Sequence, residues 1–521
     1  MRGSASSRWR SSAVLLVLAL AGVAGTSTVR GAVTRPAQIG AGTPSARTLI
    51  VATGSDAMTI NPLNASSSIL DAEITRNLYD SLVEFDRDGR IVPALATAWA
   101  RITPTTIRFQ LRHGVKFHYG EDFTAEDVKF TFDAVRDPAQ KYIRASQLSF
   151  VDRVETLDPF TVQIVTKRPD AMAIRKLARD GIVSATYAKA HPSILNTQPN
   201  GTGAYRFVEW VKDDHLTMEA FPGHWRGAPP IPRVTWRAIK DDAARVAALL
   251  AGEIDVAHSV PTDLVPLVAQ SGRAEVRAVP SMRSYWLILV NTRPELPTGK
   301  QEVRQAINYA IDRDELNRAL FGGQALVMAT AIHPHSLGYD PALKWPYDPA
   351  KARELLAKAG YPNGFTIGLH ASNGRYARDR ELSQALAGQL AKVGITVRVQ
   401  NLEPGQFTGG IFKKTTDPLV LLAYGDANRD RTGNFSDTHR TGQLWSVISY
   451  PQLDDLITRA ERTLDDAARA RVLQEAQVWM MDNAPAAYLL TLVEIYGVTK
   501  TLKWQPRSDD VLRWREATFA P

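Results

Sequence analysis

The sequence predicts an α/β protein, because segments of helix length are followed by short strands at several places along the chain. Asp241 opens a segment whose apolar residues recur at helical spacing, and Gly252 can end it in a left-handed conformation. The next residues, EIDVAHSV (253–260), have the character of a strand. This part of the chain is therefore a compact helix-to-strand unit.

Two further units of the same kind follow. Asp348 and Pro349 form a cap and a first-turn proline, and Gly360 closes the helix before the strand FTIGLHAS (365–372). A helix over 378–393, stopped by Gly394, leads into the strand ITVRVQNL. Repeated units of this type indicate sheets covered by helices.

A third observation concerns FQLRHGVKFHYGEDFTAEDVKF (109–130), where two histidines and several carboxylates lie close together. Alternation of apolar and polar residues predicts a hairpin over 106–117 that turns at His113 and Gly114. Thr124 to Asp127 has the pattern of a capping box that opens a helix. We therefore interpret His113 and His118 as structural, solvated residues, since no HExxH motif or ligand triplet accompanies them.

Composition limits the class of protein. The chain has 521 residues, 44% of them hydrophobic, and a formal charge of +8 with interspersed signs, which does not indicate a nucleic-acid surface. Residues 1–24 combine arginines with a short apolar run, as in a signal peptide, and 25–45 form a flexible leader. No cysteine is present to form disulfides or carry a lipid. We expect export to the periplasm without a lipid anchor.

The sequence carries no recognisable catalytic motif. GxSxG, Walker, HExxH and strand-to-helix GxGxxG patterns are all missing, and PNGTGAY (199–205) is interpreted as a turn between subdomains. We therefore predict no catalytic residue, no metal ligand and no cofactor, and classify the chain as a non-enzyme.

The segment GRIVPALATAWARITPTTIRFQLRHGVKFHYGEDFTAEDVKFTFD (89–133) resembles the signature region of the family 5 extracellular solute-binding proteins of ABC importers. That family includes dipeptide-, oligopeptide- and nickel-binding members. Further segments resemble family landmarks in the expected order: 78–93, 200–210, 241–261, 303–316, 347–365 and 453–490. Together they span most of the chain after the leader.

The resemblance implies a two-lobed periplasmic binding protein fold with an extra inserted subdomain and a hinge between the lobes. Lobe I would comprise 46–290, with 86–199 as the inserted subdomain, and 488–521 as a returning C-terminal segment. Lobe II would comprise 291–487. The hinge crossings would lie near 290–291 and 487–488.

The resemblance also implies where a ligand is held. The segment DPLVLLAYGDANRDRTGNF (417–435) is similar to the family's strand that leads to an amine-binding aspartate, which here is Asp426, with Asp430 as the second choice. Arg375 stands where a family arginine meets a ligand carboxylate. The full set of expected ligand-binding residues is Asp426, Arg375, Tyr376, Tyr424, Asp430 and Trp445.

Three of these residues also have a structural alternative. Asp430 is flanked by Arg429 and Arg431 and could form an internal salt bridge. Arg375 could be part of a solvated helix entry, and Trp445 could belong to a lobe core.

The implied function is that of the substrate-binding component of an ABC importer. Its ligand would be a short peptide or peptide-like compound, and its partner an inner-membrane permease. We expect a monomer that binds no nucleic acid. The alternatives are a metal-chelate carrier of the same fold and a secreted hydrolase.

Overall fold

The computed structural model describes residues 47–64, 69–191, 194–425, 432–509 and 511–520. The predicted signal peptide and the predicted leader lie outside these residues. The strands are β1 (Thr48–Thr53), β2 (Val83–Phe85), β3 (Ile91–Pro93), β4 (Ala96–Thr103), β5 (Thr106–Leu111), β6 (Val151–Asp158), β7 (Thr161–Thr166), β8 (Tyr205–Val211), β9 (His215–Ala220), β10 (Arg233–Ala238), β11 (Val256–Ala257), β12 (Ala274–Leu289), β13 (Phe365–Ser372), β14 (Ile395–Leu402), β15 (Leu419–Gly425), β16 (Ala486–Thr499), β17 (Leu502–Lys503) and β18 (Thr518–Phe519).

Helices flank these strands along the whole described chain. They are α1 (Ile69–Leu78), α2 (Ala125–Arg136), α3 (Ala173–Leu177), α4 (Ala185–Ala190), α5 (Asp242–Ala251), α6 (Val265–Gln270), α7 (Gln301–Ala310), α8 (Arg313–Phe321), α9 (Pro349–Lys358), α10 (Asp379–Ala391), α11 (Pro404–Lys413), α12 (Thr432–His439), α13 (Pro451–Arg462) and α14 (Asp466–Asn483). Short 3-10 turns occupy Pro138–Gln140, Ile143–Ser146, Ile194–Asn196, Pro297–Gly299 and Trp514–Glu516. The mixture of helices and strands confirms the predicted α/β class.

One ten-stranded mixed sheet runs through the protein in the order β14-β13-β15-β12-β16-β11-β1-β10-β9-β8. Its centre is the antiparallel pair of β12 and β16, which are 16 and 14 residues long. Their pairing has register shifts between Pro280 and Ser284 and between Ser284 and Trp286. A separate four-stranded antiparallel sheet has the order β4-β5-β7-β6.

The described residues form two hydrophobic cores. The first contains the four-stranded sheet, α1, α2 and the tryptophans near the C-terminus, and the second contains α7, α9, α10 and the strands β13 to β15. On β1, Leu49 and Val51 pack into the first core, whereas Ile50 and Ala52 pack against the second. Because successive side chains of a strand point to opposite faces, the large sheet separates the cores there.

The predicted lobe boundaries stay a prediction. The first crossing, at 290–291, directly follows the end of β12 at Leu289, and the second, at 487–488, falls in the first residues of β16.

The caps that predicted the helix-to-strand units are confirmed. Asp241 accepts a 2.7 Å hydrogen bond from the Ala244 backbone at the start of α5, and Gly252 ends that helix at φ 80°. Asp348 caps α9 in the same way, accepting from the Lys351 backbone at 2.8 Å. The strands β13 and β14 have the predicted bounds, whereas β11 is only two residues long.

The predicted hairpin over 106–117 is wrong, although its first half is a strand. β5 pairs with β4 on one side and with β7 on the other, and the tight turn lies at Pro104 and Thr105. Alternation of apolar and polar residues indicates a strand but not the strand that pairs with it. The prediction therefore put the hairpin turn after β5, whereas the turn lies before it. The capping box at Thr124 and Asp127, which opens α2, is confirmed.

Candidate functional site

Tyr424 is the next-to-last residue of β15, and the five residues before it in the strand are buried. Its phenol donates a 3.1 Å hydrogen bond to the Oδ2 atom of Asp437, which lies on α12. The Asp437 side chain remains open to solvent. A carboxylate held by a phenol and still accessible is suited to a charged hydrogen-bond donor.

The surroundings raise the pKa of both groups. Burial, and then the nearby Asp437 charge, raise the pKa of Tyr424. Burial raises the pKa of Asp437, while its hydrogen bond from Tyr424 and the positive charge of Lys176 act in the opposite direction. Asp437 is therefore accessible to solvent and at the same time closely surrounded by protein groups, and we call the space beside Tyr424 and Asp437 the recess.

Aromatic side chains surround Tyr424. The Trp445 ring meets it edge-on at 5.8 Å between centroids and meets Phe412 at 4.9 Å. Trp286 stacks on Tyr424 at 6.4 Å. Trp445 is only partly buried, so it packs on the second core and also lies next to the Tyr424 recess.

Arg375 and Tyr376 lie in the loop between β13 and α10. The Nε atom of Arg375 donates a 3.0 Å hydrogen bond to the Tyr376 phenol oxygen, and the Arg375 side chain is exposed. Asp379 shapes this loop by accepting hydrogen bonds from the backbone of residues 374–376. The Tyr376 charge contributes to the raised pKa of Tyr424, so the two tyrosines are neighbours.

The structure thus brings Arg375, Tyr376, Tyr424 and Trp445 to one wall. Asp426 and Asp430 lie outside the described residues. The assignment of all six residues to ligand binding stays a prediction.

A second wall comes from residues 170–181, which include α3. The charge of Lys176 acts on Asp437, and the charge of Arg179 acts on Tyr424. Lys176 also forms a 2.7 Å ion pair with Asp170. Positive groups of one wall therefore face the tyrosine and carboxylate of the other.

The two walls touch beside this recess. The Ala171 backbone donates to the Glu461 carbonyl at 2.9 Å, and the guanidinium of Arg469 lies 3.1 Å from the sulfur of Met172. Farther along, Arg378 donates to the Thr262 hydroxyl and lies 3.3 Å from Asp263. These contacts join segments of the predicted lobe I to segments of the predicted lobe II.

Behind the second wall lies a cavity of about 20 Å³. It is lined by three arginines, Arg76, Arg144 and Arg179, and by Pro62, Thr75, Tyr79, Ser81, Ala178 and Gly181. Neither these arginines nor Asp437 was identified from the sequence. The three arginines come from separate segments of the chain, so no local motif contains them.

The histidines of the 109–130 segment do not form a site. His113 is exposed and stacks on Phe160 at 3.7 Å, whereas His118 is buried and its Nε2 lies 3.0 Å from the Gly203 carbonyl. Burial lowers the pKa of His118 to about 4, so this ring is neutral at pH 7. The structural interpretation is supported, but the expectation that His118 is solvated was wrong, because Phe221 and residues 201–203 cover it. Among the described residues no cluster of three or more potential metal ligands occurs.

The glycines of PNGTGAY (199–205) lie in close contact with the backbone at the end of α1. A Cβ atom added at Gly201 would lie 2.1 Å from the Leu78 carbonyl oxygen, and one at Gly203 would lie 2.4 Å from that of Asn77. These glycines therefore let the 199–205 turn pack against the end of α1.

Within the described residues no helix is both long enough and apolar enough to cross a membrane. The chain belongs to the bacterial extracellular solute-binding proteins, family 5, whose model matches residues 90–443. It is also 31% identical over 463 residues to the glutathione-binding protein GsiB of Pectobacterium atrosepticum, covering 86% of this chain and 89% of that protein.

Solved structures show the same two-lobed periplasmic binding protein fold. The DppA protein of Helicobacter pylori in complex with the peptide STSA is 24% identical with a TM-score of 0.76, covering 91% of this chain and 98% of that one. The NikZ protein of Campylobacter jejuni in complex with Ni(L-His) is 23% identical with a TM-score of 0.76, covering 90% and 99%. The family match and the 31% identity to GsiB identify the chain as the solute-binding component of an ABC importer.

Proposed function

We propose that this protein binds a short peptide or peptide-like compound between its two lobes and delivers it to an inner-membrane permease. The observation that carries the proposal is the Tyr424–Asp437 pair, a solvent-accessible carboxylate that can receive a ligand ammonium. The relatives support it, since GsiB is named for glutathione and the DppA structure contains a peptide. Both ligands contain peptide bonds and charged ends.

The recess has the chemistry that such a ligand requires. Asp437 and the predicted Asp426 offer carboxylates for an amine, and Arg375 offers a guanidinium whose planar fork suits a carboxylate. Tyr376, Tyr424 and Trp445 provide rings against which the ligand's backbone and side chains can pack. Binding favours the closed arrangement because only there do both lobes contact the ligand.

The protein acts in the periplasm after removal of residues 1–24, as a monomer and without a lipid anchor. It performs no chemistry on its ligand. The lack of a recognisable catalytic motif in the sequence and the relatives that are named as binding proteins support this part of the proposal.

Native purification followed by mass spectrometry of the released small molecules tests the proposal. The expected result is a peptide-like compound that is recovered unchanged after prolonged incubation with the protein. Release of cleaved products would indicate a hydrolase. Tight binding of nickel with histidine, without binding of any peptide, would indicate a metal-chelate carrier. Either outcome would overturn the proposal.

A further inference from the structure

Arg76 is the starting observation. It lies in the last turn of α1, is half-buried and lines the small cavity. Its guanidinium forms no ion pair or side-chain hydrogen bond with any other residue that the structure describes. A partly buried arginine usually has an anionic partner, because its charge is costly to remove from water.

The charged groups around Arg76 are mostly of its own sign. Arg179, Arg513 and Arg144 act on it, and Asp509 is the carboxylate among them. Burial, and then these arginines, lower the pKa of Arg76 to about 9. Its charge is therefore destabilised in the structure and would be stabilised by an anion.

The nearby carboxylates are already paired with other arginines. Asp180 forms an ion pair with Arg144, and both residues are less than one-tenth exposed. Asp509 accepts from Arg507 at 2.8 Å. Farther back, Glu84 pairs with Arg513 at 3.0 Å and with Arg515 at 2.9 Å. Within the described residues none of these carboxylates forms an ion pair with Arg76.

The cavity has the size and position for one group of a ligand. Its volume of about 20 Å³ holds roughly one water-sized atom group, such as a carboxylate oxygen. Arg179 lines the cavity and also acts on Tyr424, so the cavity lies next to the proposed ligand recess. A ligand bound at Tyr424 and Asp437 is therefore within reach of it.

We propose that this cavity receives a carboxylate of the bound ligand through Arg76, and that the protein prefers acidic peptides. The inference rests on the proposed function and narrows its ligand class. An acidic side chain, or the second carboxylate of a γ-glutamyl peptide, supplies the required group. Arginine is suited to this role because its fork of N–H donors matches the two oxygens of a carboxylate.

The test compares the tripeptides Ala-Glu-Ala and Ala-Gln-Ala by isothermal titration calorimetry. The wild-type protein should bind the acidic peptide at least tenfold more tightly than the amide. Arg76→Gln should remove this preference by lowering the affinity for the acidic peptide to that for the amide. Arg90→Gln is the matched control, since the Arg90 side chain is 77% exposed and the substitution removes the same charge.

Thermal unfolding of the unliganded proteins separates binding from folding. Because Arg76 forms no ion pair or side-chain hydrogen bond within the part of the chain that the structure describes, Arg76→Gln should unfold at the wild-type temperature or above it. A lower unfolding temperature would show that Arg76 stabilises the fold and would contradict the proposal.

Other outcomes would also overturn it. Equal affinities of the wild-type protein for both peptides, or a preference that persists in Arg76→Gln, would remove the acidic-ligand inference and leave the peptide-binding function standing. Inorganic phosphate that binds as tightly as Ala-Glu-Ala would show a site for free anions. Failure of every peptide, glutathione included, would overturn the proposed function itself.

Discussion

The Tyr424 phenol donates a 3.1 Å hydrogen bond to the carboxylate of Asp437, and this bond joins the end of β15 to α12. Lys176 and Arg179 act on this pair from the opposite wall. The pair thus lies where segments of the two predicted lobes meet.

Asp437→Asn should weaken binding of peptides with a free amine by about 2–5 kcal/mol, since a desolvated charge pair is lost. Acetylation of the peptide amine should weaken binding to the wild-type protein by a similar free energy and should change binding to the variant little. Binding should also weaken as the pH falls through the raised pKa of Asp437, because the protonated carboxyl no longer attracts an ammonium. Calorimetry with free and acetylated peptides measures these differences.

The control for this substitution is Asp455→Asn on α13, whose side chain is 67% exposed and lies 3.9 Å from Arg459. This control removes a carboxylate charge at a position outside the recess, so the variant should bind peptides with the affinity of the wild-type protein. If Asp437→Asn binds acetylated and free peptides as the wild-type protein does, Asp437 is no ligand contact.

Arg375→Ala and Asp426→Ala should each weaken peptide binding by about 2–5 kcal/mol, because each substitution removes a charge-assisted contact with the ligand. The unliganded proteins should unfold near the wild-type temperature. Arg375 is exposed and its side chain bonds only to the neighbouring Tyr376 among the described residues, so the fold does not depend on it. Arg380→Ala, at an exposed position of α10, is the matched control.

A result in which Asp426→Ala loses stability equally with and without ligand would favour the alternative that this aspartate is structural. The ligand amine would then be bound by Asp437 and not by Asp426.

His118 predicts a pH dependence of stability. Its folded pKa of about 4 lies below the usual 6.5, so the unfolded chain binds more protons between these values. The free energy of unfolding should therefore fall as the pH drops from 6.5 towards 4, with about 2 kcal/mol lost from this group between pH 7 and pH 5. His118→Gln should show a smaller loss over that range in urea unfolding.

Measuring peptide affinity tests whether His113 and His118 take part in ligand binding. His113→Ala together with His118→Ala should leave peptide affinity at pH 7 unchanged, although the protein becomes less stable. A large loss of affinity, or of a bound metal, would mean that the 109–130 segment is functional after all.

Two glycines give a matched pair of substitutions. Gly201→Ala should destabilise the protein by several kcal/mol, because the new Cβ would lie 2.1 Å from the Leu78 carbonyl oxygen. Gly388→Ala should stabilise it by about 1 kcal/mol, since Gly388 lies on the exposed face of α10 with nothing within 4 Å. Similar effects of both substitutions on the thermal midpoint would contradict the packing role of the 199–205 turn.

Local signals explain which elements could be predicted from the sequence. The helices α5 and α9 carry aspartate caps, and glycines mark the ends before β13 and β14, so their positions follow from a few adjacent residues. The partner of β5 depends on pairing between distant segments, which alternation does not encode. His118 was expected to be solvated because its cover comes from residues 201–221.

In the site, too, some residues could be predicted from nearby sequence and others depend on the tertiary fold. Tyr424 and Tyr376 were expected in the site because the segments that contain them resemble family segments. Tyr424 lies next to the end of β15, and Tyr376 follows β13. Asp437 lies on a helix without a marked motif, and its position depends on how that helix packs beside β15. The cavity arginines stand at 76, 144 and 179, and only the tertiary fold brings them together.

The central claim is that the protein binds a peptide-like ligand stoichiometrically and leaves it intact. Native mass spectrometry of the purified protein, incubated with glutathione and a mixture of tripeptides, tests this most directly. The account predicts a mass increase equal to one peptide per chain, with acidic members enriched and every peptide recovered at its original mass. A chain that binds no peptide, or that returns shortened peptides, would contradict it.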